Sequence, residues 1–401
     1  MSAEAGKPTG GQIAGDGAAR GRRRRLIITA GAVATGLVVL GVPVTTLALT
    51  SAPRTHGAAS AAQSSPTNAP EHPIKLQTGP RSNVRGVTPR AGATDYTAYA
   101  AVTGAEEVAT GDTATDTLRA TRYSADSPEG VAVTPDGSQV FIAETGQYHV
   151  IAVNTATAVE TPIEVGPYPQ DVAVSPNGQQ VYATVTGGDT GPGGSDVVAV
   201  ISVSADAVVR DITVGPAPRQ VVFSPDGSRA YVTTEDSIAV IDTASGRVIR
   251  SIPDPASPQG LAVSPDGRTV YVTNPGQGTL WAVSAATGRV TAQVAAGAEP
   301  YSVAVTPDGG TAYVADLNSD TVEAISTATG QVLATIPTGR LPGSVAVTPD
   351  GSQVWVGNIL SGSFTIINPA TNTVTTTISG GAGTAALNAE PQGIAFVKAA
   401  S

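Results

Sequence analysis

The chain has 401 residues, 41% hydrophobic and only 13% charged, enough for one or two domains with a sizeable core. Its formal charge is −10, and the six basic side chains of residues 1–52 (Lys7, Arg20, Arg22, Arg23, Arg24 and Arg25) leave the remainder more acidic still. An acidic globular part argues against a nucleic-acid surface, which needs a basic patch to displace counterions, and the absence of cysteine excludes disulfides, thiolate metal sites and a thiol nucleophile.

Residues 1–25 read as a basic cytoplasmic N-terminus. Residues 26–49 carry no charged side chain. At about 1.5 Å per residue, a helix of that length crosses a hydrocarbon core of about 30 Å. The arginines at 22–25 keep the N-terminus inside, so 26–50 reads as a single transmembrane anchor with the rest of the chain outside the cell membrane. The alternative is an export signal and a secreted product. The run Arg23-Arg24-Arg25-Leu26-Ile27 loosely fits a twin-arginine signal, whereas Thr46-Leu47-Ala48 and Thr50-Ser51-Ala52 are weak cleavage sites. Residues 51–94, rich in Ala, Ser, Pro, Thr and Gly without strand alternation, read as a disordered linker. His56 and His72 within it read as solvent-exposed residues rather than metal ligands.

From residue 95 the sequence repeats itself. A Pro-x-x-aliphatic anchor recurs at Pro128, Pro169, Pro218, Pro258, Pro300, Pro342 and Pro391. A short apolar strand follows each anchor. In the first six units a Pro-Asp-Gly turn comes next (Pro135-Asp136-Gly137 is the first; the second has Asn177), whose residues preset φ, cap backbone N–H groups and accept positive φ. An aromatic then stands at one fixed offset from the anchor: Phe141, Tyr182, Tyr231, Tyr271, Tyr313 and Trp355. A large flat side chain at a constant place in each unit suits a wedge between neighbouring sheets. A strand of period 2, a second turn such as Asp242-Thr243-Ala244-Ser245-Gly246, and a fourth strand close the unit. Four strands per repeat with no helical period describe a propeller blade.

The seventh anchor is followed by one strand, Ile394-Ala395-Phe396-Val397, and then the chain ends. The three strands it lacks are found before the first anchor: Tyr99-Ala100-Ala101-Val102, Glu107-Val108-Ala109, and a segment starting at Thr117. The expectation is an all-β, seven-bladed β-propeller over residues 95–401, its ring closed by three N-terminal strands plus one C-terminal strand. Tyr271-Val272-Thr273-Asn274 writes out a YVTN signature and Tyr231-Val232-Thr233-Thr234 nearly repeats it. With Pro258-Gln259-Gly260-Leu261 ahead of it, this pattern resembles the YVTN-repeat β-propellers, including YncE-like extracytoplasmic proteins. The resemblance implies the fold; it brings no shared catalytic motif.

No signature of catalysis stands out. There is no G-x-S-x-G elbow, H-E-x-x-H or P-loop. Gly276-Gln277-Gly278 reads as a turn, and His149, on an alternating strand, as a packed or surface residue. With so few metal-type side chains, neither a metal site nor a cofactor is expected. Propeller geometry supplies the candidate site instead. Residues just after each anchor should ring one mouth of the central channel: Glu129, Gln170, Asp171, Arg219, Gln220, Gln259, Tyr301, Ser344 and Gln392. Arg219 is the only cation among them. These residues could hold a small polar or anionic ligand, or simply line a water-filled channel. Loops between the second and third strands, with Asn274, Asp316, Asn318, Asp320 and Asn358, should reach the same face, and a Gly-rich insert (187–196) lengthens one of them.

The function expected is a monomeric, membrane-tethered binding scaffold whose partner is a protein, a peptide or a cell-wall component. The alternatives are a lactonase-like hydrolase, with Glu129, Asp171 and Arg219 as the nearest acid, base and cation, or a purely architectural cell-surface protein.

Overall fold

The computed structural model describes residues 94–103, 107–121, 127–187, 196–254, 256–379 and 391–399. The basic N-terminus, the anchor segment 26–50, the linker up to residue 93 and residues 188–195 of the Gly-rich insert lie outside the described residues. Among the described residues no helix is long and apolar enough to cross a membrane.

The repeats fold into seven antiparallel sheets of four strands each, paired in chain order from the centre outwards. The inner strands are Pro128–Val133, Pro169–Val174, Val221–Phe223, Leu261–Val263, Pro300–Val305, Pro342–Val347 and Pro391–Lys398. Each touches the inner strands of the two adjacent sheets, so the sheets form a ring of seven blades. Blade seven is composite. Its inner strand, Pro391–Lys398, pairs in antiparallel register with Tyr96–Val102, from Tyr96 opposite Lys398 to Val102 opposite Pro391. Glu107–Asp112 and Thr117–Thr121 complete it.

The Pro-Asp-Gly turns work as their chemistry dictates. In the first, the Thr134 hydroxyl and the Ser138 backbone N–H both donate to Asp136 Oδ1, at 2.6 and 3.0 Å, and Gly137 adopts φ 72°. These hydrogen bonds, from Thr134 and then Ser138, hold the Asp136 carboxyl down at about 2. The same arrangement recurs at Asp226, Asp266, Asp308 and Asp350.

The core is built at the blade junctions. Each fixed-offset aromatic is buried in a cluster shared with the next blade: Phe141 with Val172 and Val181, Tyr231 with Leu261 and Val270, Tyr313 with Val345 and Val354. Tyr99 fills that role in blade seven, against Val131 and Val140 of blade one. The sheets are therefore held face to face by one wedge per junction.

The outermost strands face a different problem, because an unpaired edge invites pairing with another chain. In blades two to six the register of the outer strand slips by one residue at the same place, leaving Val209, Ile249, Thr291, Leu333 and Thr375 as bulged residues. A bulge twists an edge away from neighbours. Blade one instead has Pro162 in its outer strand, Glu160–Glu164, which removes a ladder donor.

Candidate functional site

The inner strands all begin on one face of the ring, and the residues after each anchor proline converge there. They line a cavity of about 280 Å³ at the channel mouth. Glu129, Gln170, Asp171, Arg219, Gln220, Gln259, Tyr301 and Ser344 are all in its wall. Gln392 lies on the last strand, but its side chain is outside the described residues. Ser302 belongs to the same wall. Its position, two residues after Pro300, is the signal that would have found it.

The two positions after the anchor divide the work. The second serves the ring. Asp171 Oδ2 accepts the backbone N–H of Val221 in the next blade at 3.0 Å. Gln220 Oε1 accepts that of Leu261, and Ser302 Oγ that of Val345 at 3.2 Å. Where this residue is glycine the next blade comes too close for a side chain. A Cβ on Gly260 would lie 2.6 Å from the Tyr301 carbonyl oxygen. The threonine of the YVTN signature ties the same layer together. Thr273 Oγ1 accepts from Gly260 N at 2.7 Å and donates to the Tyr301 carbonyl at 2.9 Å. Thr233 and Thr184 do likewise one and two blades earlier. Side chains at the first position, Glu129, Gln170, Arg219, Gln259 and Tyr301, are left to shape the mouth, and in blade six that position is Gly343, which has no side chain.

Among the described residues Arg219 is the only cation in the wall. Its Nη1 reaches the Pro258 carbonyl at 3.4 Å, and among the described residues it forms no ion pair with a carboxylate. Burial pulls its pKa down, opposed by Tyr301 and Glu235. Burial also raises the Tyr301 hydroxyl, on which Glu129 and Arg219 act in opposite senses. Asp171 lies deep in the mouth. Desolvation pushes its carboxyl up from 3.8 to about 7, against the lowering effect of the Val221 and Val172 N–H groups.

That shift has a sign for stability. A carboxyl that holds its proton in the fold but releases it in the unfolded chain makes stability fall as pH rises from about 4 to about 7. Asp171→Asn, which keeps an acceptor for Val221, is expected to flatten that fall and to be more stable than the natural chain at pH 8 by about 1–3 kcal/mol. Urea unfolding of both proteins at pH 5 and pH 8 measures it, and equal slopes would place the proton elsewhere.

The loops between second and third strands did not yield mouth ligands. Asp316 is fully buried and accepts from Ala298 N, Glu299 N and the Ser319 hydroxyl. Asp320 accepts from Leu341 N, and the Asn318 amide donates to Glu299. The Asn274 amide donates to buried Asp254 at 2.9 Å. Asn358 accepts from Gly339 N and donates to Ser363 and Thr365. Asp316, Asp320 and Asn358 thus satisfy backbone N–H groups where the chain passes from one blade to the next, while Asn274 and Asn318 pair with carboxylates.

Comparison with known proteins agrees with this geometry. A family model for a seven-bladed β-propeller lactonase matches residues 194–349, and one for a YNCE-like β-propeller matches residues 304–401. No curated protein matches the chain. Among solved structures, the hydrazine synthase of Kuenenia stuttgartiensis is 24% identical, with 66% of this chain and 90% of that chain covered and a TM-score of 0.59. A functionally unknown protein of Desulfotomaculum acetoxidans is 13% identical over 76% of this chain and 99% of its own, at a TM-score of 0.61. A candidate 6-phosphogluconolactonase of Bacteroides uniformis is 17% identical over 76% of this chain and 100% of its own, also at 0.61. At these identities the likeness shows the fold.

Proposed function

Since the chain is a YncE-like β-propeller, a fold that carries many unrelated activities, we propose that it is a binding module. Its site is the channel mouth, and its ligand is a small polar anion or an acidic group of a larger partner. One observation carries this reading: Arg219, half-buried in a cavity of about 280 Å³, is the single cation among the described residues of its wall, which Gln170 and Gln259 of the two adjacent blades share. A desolvated guanidinium favours an anionic partner, and amides supply further donors.

Full-length protein titrated calorimetrically with gluconate, glucuronate and inorganic phosphate tests the reading. Arg219→Ala is expected to weaken binding of whichever probe binds by about 100-fold, the worth of a charge-assisted, partly buried contact, with little change in melting temperature. Binding is also expected to weaken as pH rises through about 7 and Asp171 gains its charge. An affinity indifferent to Arg219 removes the mouth as the site.

A second reading has its own support. A carboxyl poised near 7 that shares a cavity wall with a guanidinium suits proton transfer at neutral pH, and the lactonase model covers Arg219, though it begins after Asp171. In that case glucono-δ-lactone should be opened faster than in buffer, and both Asp171→Asn and Arg219→Ala should abolish the excess. A rate equal to buffer rejects it. Either way, the uncharged segment 26–50 behind its arginines supports display of the propeller outside the cell membrane. Protease added to intact cells is then expected to digest the propeller; full protection would put it inside.

A further inference from the structure

Two blade junctions carry a guanidinium clasp on the outside of the ring. Arg210, on the outer strand of blade two (Ala207–Thr213), donates from Nη1 to the Ser245 carbonyl in the second turn of blade three, at 2.8 Å. Arg250, on the outer strand of blade three (Arg247–Pro253), donates from Nη1 to the Ala286 carbonyl in the second turn of blade four, at 3.1 Å. Each arginine lies against the left-handed glycine of that turn. A Cβ on Gly246 would strike Arg210, and one on Gly288 would come within 2.8 Å of Arg250 Cδ.

The next junction has the same backbone and no arginine. Strand register puts Arg210 opposite Val200, Arg250 opposite Val240, and Ala292 opposite Ala282. Ala292 therefore holds the arginine's place in blade four. Val294 holds the place of Ile212 and Ile252 in the same registers and is one methylene smaller. Between this strand and the second turn of blade five (residues 326–330) a groove of about 410 Å³ opens, floored by Tyr271, Leu280 and Ile325. Its turn repeats the acceptor backbone that the arginines use at the two preceding junctions, including a left-handed glycine, Gly330, at φ 70°.

We propose that this groove is a docking site for an arginine side chain of a partner polypeptide. The stem lies along Leu280, Ala292 and Val294, and the guanidinium donates to the carbonyls of the 326–330 turn, as Arg210 and Arg250 do within the chain. The chemistry matches on both counts: an apolar floor for the methylenes, and carbonyl acceptors at the end that suit a planar, multiply donating cation. An acidic protein adds a favourable long-range field for a basic partner.

The probe is the blocked tripeptide acetyl-Ala-Arg-Ala-amide, titrated into the full-length protein beside its citrulline analogue, which has the same shape without the charge. Saturable binding of the arginine peptide is expected, with the citrulline peptide at least about tenfold weaker. Ala292→Arg, which supplies the clasp from within, is expected to abolish binding without lowering the melting temperature. The citrulline comparison needs no variant and stands if that substitution misfolds. No saturable binding at millimolar peptide, equal binding of citrulline, or binding lost in Arg219→Ala but kept in Ala292→Arg would each overturn the proposal.

Discussion

A chain cut after residue 390 is expected to lose its cooperative unfolding transition. The last strand, Pro391–Lys398, joins the end of the ring to its beginning within one sheet. It pairs along its length with Tyr96–Val102, and its side chains serve both neighbours. Ile394 and Phe396 pack with Trp355 and Phe364 of blade six, while Ala395 and Val397 pack with Val131 and Val140 of blade one. Removing it exposes the edge of Tyr96–Val102 and opens two junctions at once. The loss is on the order of the whole 5–15 kcal/mol that keeps a domain folded, and exposed edges favour aggregation. Calorimetry with size-exclusion chromatography reads both effects. A truncated chain that melts at the temperature of the intact one would falsify closure by a shared sheet.

The second large effect is at the same seam. Trp355 replaces the tyrosine or phenylalanine of the other junctions and is fully buried. Its ring meets Phe364 and Phe396 at centroid distances of 6.1 and 5.9 Å. It also packs on Gly111, where a Cβ would lie 2.8 Å from the indole. Its Nε1 donates to Gln353 Oε1 at 2.9 Å, and Gln353 Nε2 donates in turn to the Thr113 carbonyl and Asp116 Oδ1. Blade six is thereby fastened to the N-terminal and C-terminal parts of blade seven together. Trp355→Ala is expected to cost about 3–5 kcal/mol for the cavity and about 1–3 more for the stranded Gln353 oxygen. Trp355→Phe, which keeps a six-membered ring but also strands the Gln353 oxygen, should save most of the cavity cost and none of the hydrogen-bond cost. Urea denaturation at fixed pH gives both values, and a Trp355→Ala loss under about 1 kcal/mol would mean that the seam is held elsewhere.

At the mouth, the stretch of sequence after each anchor proline was enough to bring Glu129, Gln170, Asp171, Arg219, Gln220, Gln259 and Tyr301 to one cavity wall. It could not separate their roles. Asp171 and Gln220 read as ligand residues, yet each also accepts a backbone N–H from the next blade. That partner is 50 residues away for Asp171 and 41 for Gln220, and nothing local to either side chain announces it. The polar loop residues misled for a related reason. Asp316 and Asn358 look like surface groups in the sequence, but tertiary packing buries them with backbone donors that have no other acceptor.

What the sequence settled by itself is whatever repeats: the turn chemistry at Pro-Asp-Gly, the wedge aromatic at its constant offset, four strands per unit, and the missing strands of the last blade waiting at the front of the chain. Local backbone preference and burial act within one repeat, and six near-copies with a seventh, composite unit make that signal unmistakable. What only the tertiary structure decided is whatever differs between copies. Arginine clasps two outer junctions and alanine opens a third; one wedge is tryptophan where Gly111 faces it; the Asp171 carboxyl is pushed up to about 7 because the fold desolvates it. Each depends on residues brought together by ring closure, and the energy of such a contact belongs to the pair rather than to either residue's place in the chain.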